Sequence, residues 1–116
     1  MTATTAQNYH DVTWPAFEAI PAERVISGSP EAATVEVTGG DLAQSGFWRV
    51  TPGAFATVRS GYIEYIHILE GTGRLVSDDG EVVDLRPGTS VFIPDGYSGR
   101  WEIDTTLSKA YTTVTV

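Results

Sequence analysis

One stretch, from Gly61 to Gly73, limits most strongly what this chain can fold into. It reads Gly-Tyr-Ile-Glu-Tyr-Ile-His-Ile-Leu-Glu-Gly-Thr-Gly, and a run of β-branched and aromatic residues closed by glycines is typical of a buried strand. Glu64 stands in its middle, where a carboxylate is costly unless it is paired or serves a site. The stretch therefore predicts the central strand of a β domain and an internal role for Glu64.

Glycine and proline separate short strand-like runs at regular intervals, which predicts an all-β fold. The chain has 12 Gly and 6 Pro among 116 residues, and such spacing of strand-like runs is typical of a sandwich or barrel. Asp78-Asp79-Gly80 is the clearest hairpin signal, because Asp-Gly tolerates the backbone angles of a tight turn. Strands are predicted at 33–37, 46–50, 55–60, 62–69, 74–77, 81–85, 90–93, 99–103 and 109–114.

The first 30 residues differ in character from the rest of the chain. They begin with a small, polar tail, and the aromatic and apolar residues between Pro15 and Pro21 favour a short helical turn or an extended arm. We expect residues 1–30 to form a tail and an arm that packs on the barrel, and residues 31–116 to form a single domain. The exposed aromatic side chains of the arm are expected to cover a neighbour's sheet in a homodimer.

Composition and charge limit the possible partners. A formal net charge of −8, with one lysine among seven basic residues, leaves no basic patch for nucleic acid or for an anionic membrane surface. No run approaches the length of a membrane span, and the N-terminus has no basic flank or apolar core of a signal peptide. The simplest expectation is a soluble cytoplasmic protein with neither partner.

Two short motifs resemble the signatures of a known superfamily. Glu64 and Gly71 have the spacing of the first motif of the cupins, and Gly88, Pro94 and Gly96 match the second. The resemblance covers about residues 46–111 and implies a double-stranded β-helix, the jelly-roll barrel of the cupins.

A narrower resemblance comes from residues outside these motifs. Trp48, Trp101 and Lys109, with the segments around them, resemble the ureidoglycine aminohydrolase-like cupins. This branch includes relatives of the ethanolamine-utilisation Q protein and many single-domain members of unassigned function. The aminohydrolase itself has two cupin domains and depends on a metal, so its reaction is not expected here.

The ligands of the usual cupin metal are largely missing. Metal-binding members carry a His-x-His pair before the glutamate and a third histidine after Pro-x-Gly, but segment 57–60 has no histidine and the third position falls on Gly99. His67 is three residues from Glu64, so in a regular strand it points to the opposite face, and His10 lies in the tail. We therefore expect no metal and no other cofactor.

Strand alternation predicts the pocket, with Glu64 inward as the resemblance implies. Ile66 and Ile68 then follow it inward, as do alternate residues of strand 99–103. The candidate catalytic residues are Glu64 and Lys109. The candidate ligand-binding residues are Trp48, Arg59, Tyr97, Trp101 and Tyr111.

Three interpretations of this pocket stay open. The favoured one is a metal-free cupin that binds a small polar metabolite, with Glu64 charge-paired to Lys109 or Arg59 and aromatic rings providing flat contacts. The second is a hydrolase or isomerase of small nitrogenous or sugar-derived compounds that uses Glu64 and Lys109 as an acid–base pair. The third is an internal ion pair with no ligand.

Overall fold

The computed structural model describes residues 3–116, which form nine strands and one short 3-10 helix. The 3-10 helix spans Ala22–Arg24, and no helix in this part of the chain is long and apolar enough to cross a membrane. The strands are β1 Glu18–Ala19, β2 Val25–Gly28, β3 Glu31–Thr38, β4 Ala43–Val50, β5 Gly53–Val58, β6 Tyr62–Ser77, β7 Val82–Leu85, β8 Ser90–Ile93 and β9 Ser98–Thr115.

Two long strands, β6 and β9, organise the barrel because each runs through two sheets. The first half of β6 pairs with β8 and with the second half of β9, which also pairs with β4. Strands β3 and β1 continue this first sheet beyond β4. The second half of β6 pairs with β7 and with the first half of β9, followed by β5 and β2. All pairs are antiparallel, which confirms the predicted all-β jelly roll.

Both long strands bend where they pass from one sheet to the other. The pairing of β6 with β9 shifts register between Ile68 and Gly73, as β-bulges do when they bend a strand. Gly71 has a φ of 85°, and a Cβ atom there would lie 2.2 Å from the carbonyl oxygen of Thr106. Only glycine fits this position, since it has no side chain and tolerates positive φ.

The strand predictions were correct in position but divided the two long strands. The predicted strands 62–69 and 74–77 are one strand, as are 99–103 and 109–114. The hairpin at 78–80 is confirmed, because β6 and β7 pair on either side of it and Gly80 has a φ of 97°. Strands β1 and β2 were not predicted; β1 pairs with β3 at the edge of the first sheet and β2 pairs with β5 at the edge of the second.

The core lies between the two sheets. Glu64, Ile66 and Ile68 are buried on the inner face of β6 while the intervening Tyr65 is 54% exposed, which confirms the predicted alternation. The buried apolar cluster draws on both sheets and on the arm: Ile20, Val50, Phe55, Ile66, Ile68, Leu75, Leu85, Ile93, Trp101, Ile103 and Leu107.

The N-terminal arm is extended and lies on the outer face of its own first sheet. The ring of Tyr9 packs edge-on against Phe47, with centroids 5.5 Å apart. The guanidinium carbon of Arg49 lies 4.4 Å from the ring centroid of Trp14 and 4.8 Å from that of Phe17, as in cation–π contacts. These aromatic residues, which were expected to cover a neighbour's sheet, are thus used within the chain.

Candidate functional site

A cavity of about 250 Å³ opens between the two sheets. Both sheets and the N-terminal arm contribute to its wall, and the wall contains charged as well as aromatic side chains. Its lining residues are Ile20, Arg24, Thr34, Trp48, Phe55, Thr57, Arg59, Tyr62, Glu64, Trp101, Lys109, Tyr111 and Thr113.

A buried ionic cluster forms the floor of the cavity. The Glu64 Oε1 atom accepts hydrogen bonds from Arg59 Nε at 2.9 Å and from Arg59 Nη2 at 2.6 Å. The Glu64 Oε2 atom accepts one from Lys109 Nζ at 2.9 Å. All three residues are less than a tenth exposed, so one carboxylate stands between two cations with little access to water.

The cluster joins the two sheets. Glu64 and Lys109 belong to the first sheet, whereas Arg59 directly follows β5 of the second. The backbone of Arg59 is fixed by hydrogen bonds in both directions, to the Tyr97 carbonyl at 2.8 Å and from the Gly96 amide at 2.9 Å. Its Nη1 atom donates to Thr57 Oγ1. The guanidinium is therefore held in place before any ligand arrives.

Lys109 lies between two tryptophan rings. Its Nζ atom is 4.6 Å from the ring centroid of Trp48 and 4.7 Å from that of Trp101. Trp48 is paired with Lys109 across β4 and β9, and Trp101 reaches the same point from the second sheet. Aromatic faces attract a cation most strongly where water is excluded, so the rings and Glu64 together compensate the buried ammonium.

Burial and charge act in opposite directions on Glu64. Burial alone would raise the pKa of its carboxyl, but the attraction of Lys109 and Arg59 outweighs burial and holds the pKa below its ordinary value. The pKa of Lys109 is lowered by burial, and Glu64 offsets part of that effect. Glu64 is therefore ionised at neutral pH, and Lys109 loses its proton more readily than a lysine in water.

The structure brings most of the predicted site residues together. Glu64, Lys109, Trp48, Arg59, Trp101 and Tyr111 all line the cavity. Tyr97 is not among the lining residues; it directly precedes β9 and packs against the buried apolar cluster. His67 lies on the outer face, where its Nδ1 atom is 2.8 Å from Ser90 Oγ.

The residues around Glu64 do not fit a bound metal ion. Both carboxylate oxygens already accept hydrogen bonds from cationic groups, and a divalent cation would be repelled by Arg59 and Lys109. Within residues 3–116, no three His, Cys, Asp or Glu side chains come together as a metal-binding group.

Sequence reasoning missed the part of the wall that comes from the N-terminal segment. Ile20 and Arg24 line the cavity, although both were assigned to the arm. Arg24 is placed by the 3-10 helix and by a hydrogen bond from its Nε atom to the Ala56 carbonyl at 3.0 Å. The short Val25-Ile26 run after Arg24 was the one available signal that this segment enters a sheet.

The fold and the site together define a cupin. The match to the family of EutQ-like cupin domains covers residues 37–111. The chain therefore belongs to the EutQ-like cupin family. A search of curated proteins finds no match.

Solved structures show the same fold at low sequence identity. A protein of unknown function from Pseudomonas syringae pv. tomato gives a TM-score of 0.78 at 18% identity, covering 90% of this chain and 46% of that protein. The Clostridium difficile EutQ protein gives 0.66 at 19% identity, covering 84% and 80% of the two chains. A putative ethanolamine utilization protein Q from Salmonella typhimurium gives 0.65 at 19% identity, covering 87% and 95%. The chain spans less than half of the Pseudomonas protein.

Proposed function

We propose that this protein binds a small polar metabolite in the cavity between its sheets, without a metal. The observation that carries the proposal is the ionic cluster of Glu64, Arg59 and Lys109 at the floor of a cavity of about 250 Å³. Binding sites for small molecules combine apolar walls with a few fixed polar groups, and this cavity has both.

The cluster keeps hydrogen-bonding capacity for a ligand. Glu64 Oε2 accepts one bond from Lys109, and a carboxylate oxygen can accept about two. Lys109 Nζ has three N–H donors, of which one is used by Glu64. A polar ligand that reaches this point can therefore bind both groups while the rest of the cluster stays intact.

A second candidate function is acid–base catalysis on a small nitrogenous or sugar-derived compound. The observation that favours it is the contact of Lys109 Nζ with Glu64 Oε2 at 2.9 Å, together with the pKa of Lys109, which burial lowers. An acid–base residue works best when its pKa is near the working pH. Against this, the lowered pKa of Glu64 makes its carboxylate a weak base. The binding function is therefore the first choice.

A thermal-shift screen against a metabolite library tests the binding function. We expect hits that raise the melting temperature of the wild type and lose most of that effect in Lys109→Met, which keeps the volume of the side chain and removes its charge. Arg100→Gln is the matched control, because Arg100 forms a surface ion pair outside the cavity. Hits that bind Lys109→Met as well as the wild type would contradict the proposal. Incubation of the hits with protein, followed by mass spectrometry, tests for turnover.

The outer face of the first sheet supports the further proposal of a homodimer. Across β4, β9, β6 and β8 this face carries no charged residue in two successive rows, Ser45-Thr112-Tyr65-Phe92 and Phe47-Ala110-His67-Ser90, and within residues 3–116 the arm covers the second row only at Phe47. Tyr65 and Phe92 are neighbours and are both more than half exposed. Two copies with a net charge of −8 each repel one another elsewhere, so a second copy is best accommodated on this uncharged face.

Analytical ultracentrifugation at micromolar concentration tests the homodimer. We expect a dimeric mass for the wild type and a monomeric mass for Phe92→Asp, which places like charges face to face. Val82→Asp is the control, because Val82 has a similar exposure on the other sheet. A monomeric wild type would overturn this proposal and leave the pocket function unaffected.

A further inference from the structure

Positive charge is concentrated in the cavity of this acidic protein. The chain has seven basic and fifteen acidic residues. The basic residues Arg24, Arg59 and Lys109 line the cavity, but Glu64 is the one acid among the lining residues. The formal charge of the wall is therefore +2, opposite in sign to the net charge of −8.

Within the buried cluster, one carboxylate faces two cations. Glu64 compensates either Arg59 or Lys109 but not both, so the cluster has an excess of one positive charge. An uncompensated buried charge is costly. A ligand that brings a negative charge into the cavity lowers this cost, whereas a cationic ligand raises it.

Arg24 is the group best placed to bind that negative charge. Its Nε atom is used by the Ala56 carbonyl, and its guanidinium carbon lies 5.5 Å from the ring centroid of Phe55. In the described residues 3–116, no acidic side chain pairs with Arg24, and its Nη1 and Nη2 atoms have no hydrogen-bond partner. The guanidinium is thus oriented by its surroundings and keeps the N–H donors that bind both oxygens of one carboxylate.

We propose that the cavity selects a small carboxylate, with Arg24 binding the carboxylate group and the aromatic wall of Trp48 and Phe55 contacting the rest of the molecule. This inference rests on the proposed binding function and adds the charge class of the ligand and the residue that recognises it. Glu64 keeps its hydrogen bonds to Arg59 and Lys109 and does not bind the carboxylate group of the ligand, because two negative charges repel one another.

A charge series of one molecular shape tests the selection. Benzoate, benzamide and benzamidine share a planar ring and a planar head group but carry charges of −1, 0 and +1. Isothermal titration calorimetry at constant ionic strength, in a buffer without carboxylates, should show benzoate binding at least about tenfold more tightly than benzamide, with benzamidine the weakest. Equal affinity for benzoate and benzamide, or a preference for benzamidine, would overturn the inference.

Substitution of Arg24 tests the assigned residue. We expect Arg24→Gln to weaken benzoate binding by about tenfold or more and to leave benzamide binding within twofold. Arg86→Gln removes the same charge from an exposed position outside the cavity and should change neither. Arg24→Lys keeps the charge but loses the paired N–H donors of the guanidinium, so its benzoate affinity should lie between those of the wild type and Arg24→Gln. It also replaces Arg24→Gln in the test if circular dichroism shows that Arg24→Gln does not fold. Unchanged benzoate affinity in a folded Arg24 variant would overturn the role of Arg24.

The inference and the proposed function can fail separately. If none of the three compounds binds, the charge of the hits in the metabolite screen decides: anionic hits support the inference, and neutral or cationic hits overturn it while the binding function stands. If the screen also gives no hit, both are overturned.

Discussion

Removing the charge of Glu64 should destabilise the protein more than removing the charge of Lys109. In Glu64→Gln, the buried Arg59 and Lys109 face each other without an anion, and loss of one partner from a buried ionic group costs about 3–5 kcal/mol. In Lys109→Met, Glu64 keeps both hydrogen bonds from Arg59 and no charge is left alone. We expect a change in the free energy of unfolding of about 1 kcal/mol or less, since the cost of burying the ammonium also disappears.

The double variant separates charge imbalance from lost contacts. Glu64→Gln together with Lys109→Met leaves one buried cation instead of two, so it should be more stable than Glu64→Gln alone, by about 1–2 kcal/mol. Equilibrium urea unfolding followed by far-ultraviolet circular dichroism measures these differences. Typical domains have a stability of about 5–15 kcal/mol, so the largest loss is readily detected.

Surface ion pairs supply the control for this comparison. Arg74 pairs with Asp104 in an exposed position, and Arg74→Gln should change the free energy of unfolding far less than Glu64→Gln does. The reasoning is refuted if Glu64→Gln and Lys109→Met are equally destabilising, or if the double variant loses the sum of the two single effects. Either result would mean that the contacts of each side chain, and not the charge balance of the cluster, set the stability.

Three further predictions follow from individual contacts. Because the pKa of Glu64 is held below its ordinary value of 4.5, the unfolded state takes up the proton first on acidification. The difference in free energy of unfolding between the wild type and Glu64→Gln should therefore narrow below about pH 4.5. A difference that stays constant in urea titrations at lower pH would contradict this. Gly80→Ala should lower the free energy of unfolding by about 1–2 kcal/mol, because alanine is strained at the positive φ of this position. Gly71→Ala should lower it by more than about 3 kcal/mol, because its Cβ also overlaps the β9 backbone. Equal melting temperatures for the two variants would argue against this account. Trp14→Ala should remove a cation–π contact with Arg49 worth about 1 kcal/mol and should speed hydrogen exchange in residues 9–20. Unchanged exchange would show that other contacts hold the arm.

Alternation within strands was the part of the fold and site that the sequence predicted best. A period of two is a local property of extended backbone, so the inward direction of Glu64 also placed Ile66 and Ile68 correctly. The same rule separated His67 from the cavity. Tyr97 was assigned to the site for its aromatic ring and not by alternation, and it packs against the buried apolar cluster without lining the cavity.

Strand boundaries and the N-terminal segment were beyond local reasoning. Glycine ends some strands and bends others. At Gly71 the strand bends and continues because the backbone of Thr106 lies close to it, and the sequence around Gly71 does not show this contact. Arg24 enters the cavity because β2 pairs with β5, and the short Val25-Ile26 run does not indicate which distant strand it pairs with. The sequence thus predicted the charge of the cluster but not the additional cation in the wall.

The charge around Glu64 explains how this chain differs from the metal-binding cupins that it resembles. Those members place histidines and a divalent ion beside the glutamate, whereas Arg59 and Lys109 here supply two positive charges as part of the protein itself. Guanidinium and ammonium groups offer N–H donors in defined directions, so they orient a ligand through hydrogen bonds. Because these groups are covalently attached, the positive field of the cavity does not depend on a bound ion and persists when a chelator is present. Binding of benzoate should therefore be the same before and after exhaustive treatment with EDTA, and a loss of binding would show that a metal takes part.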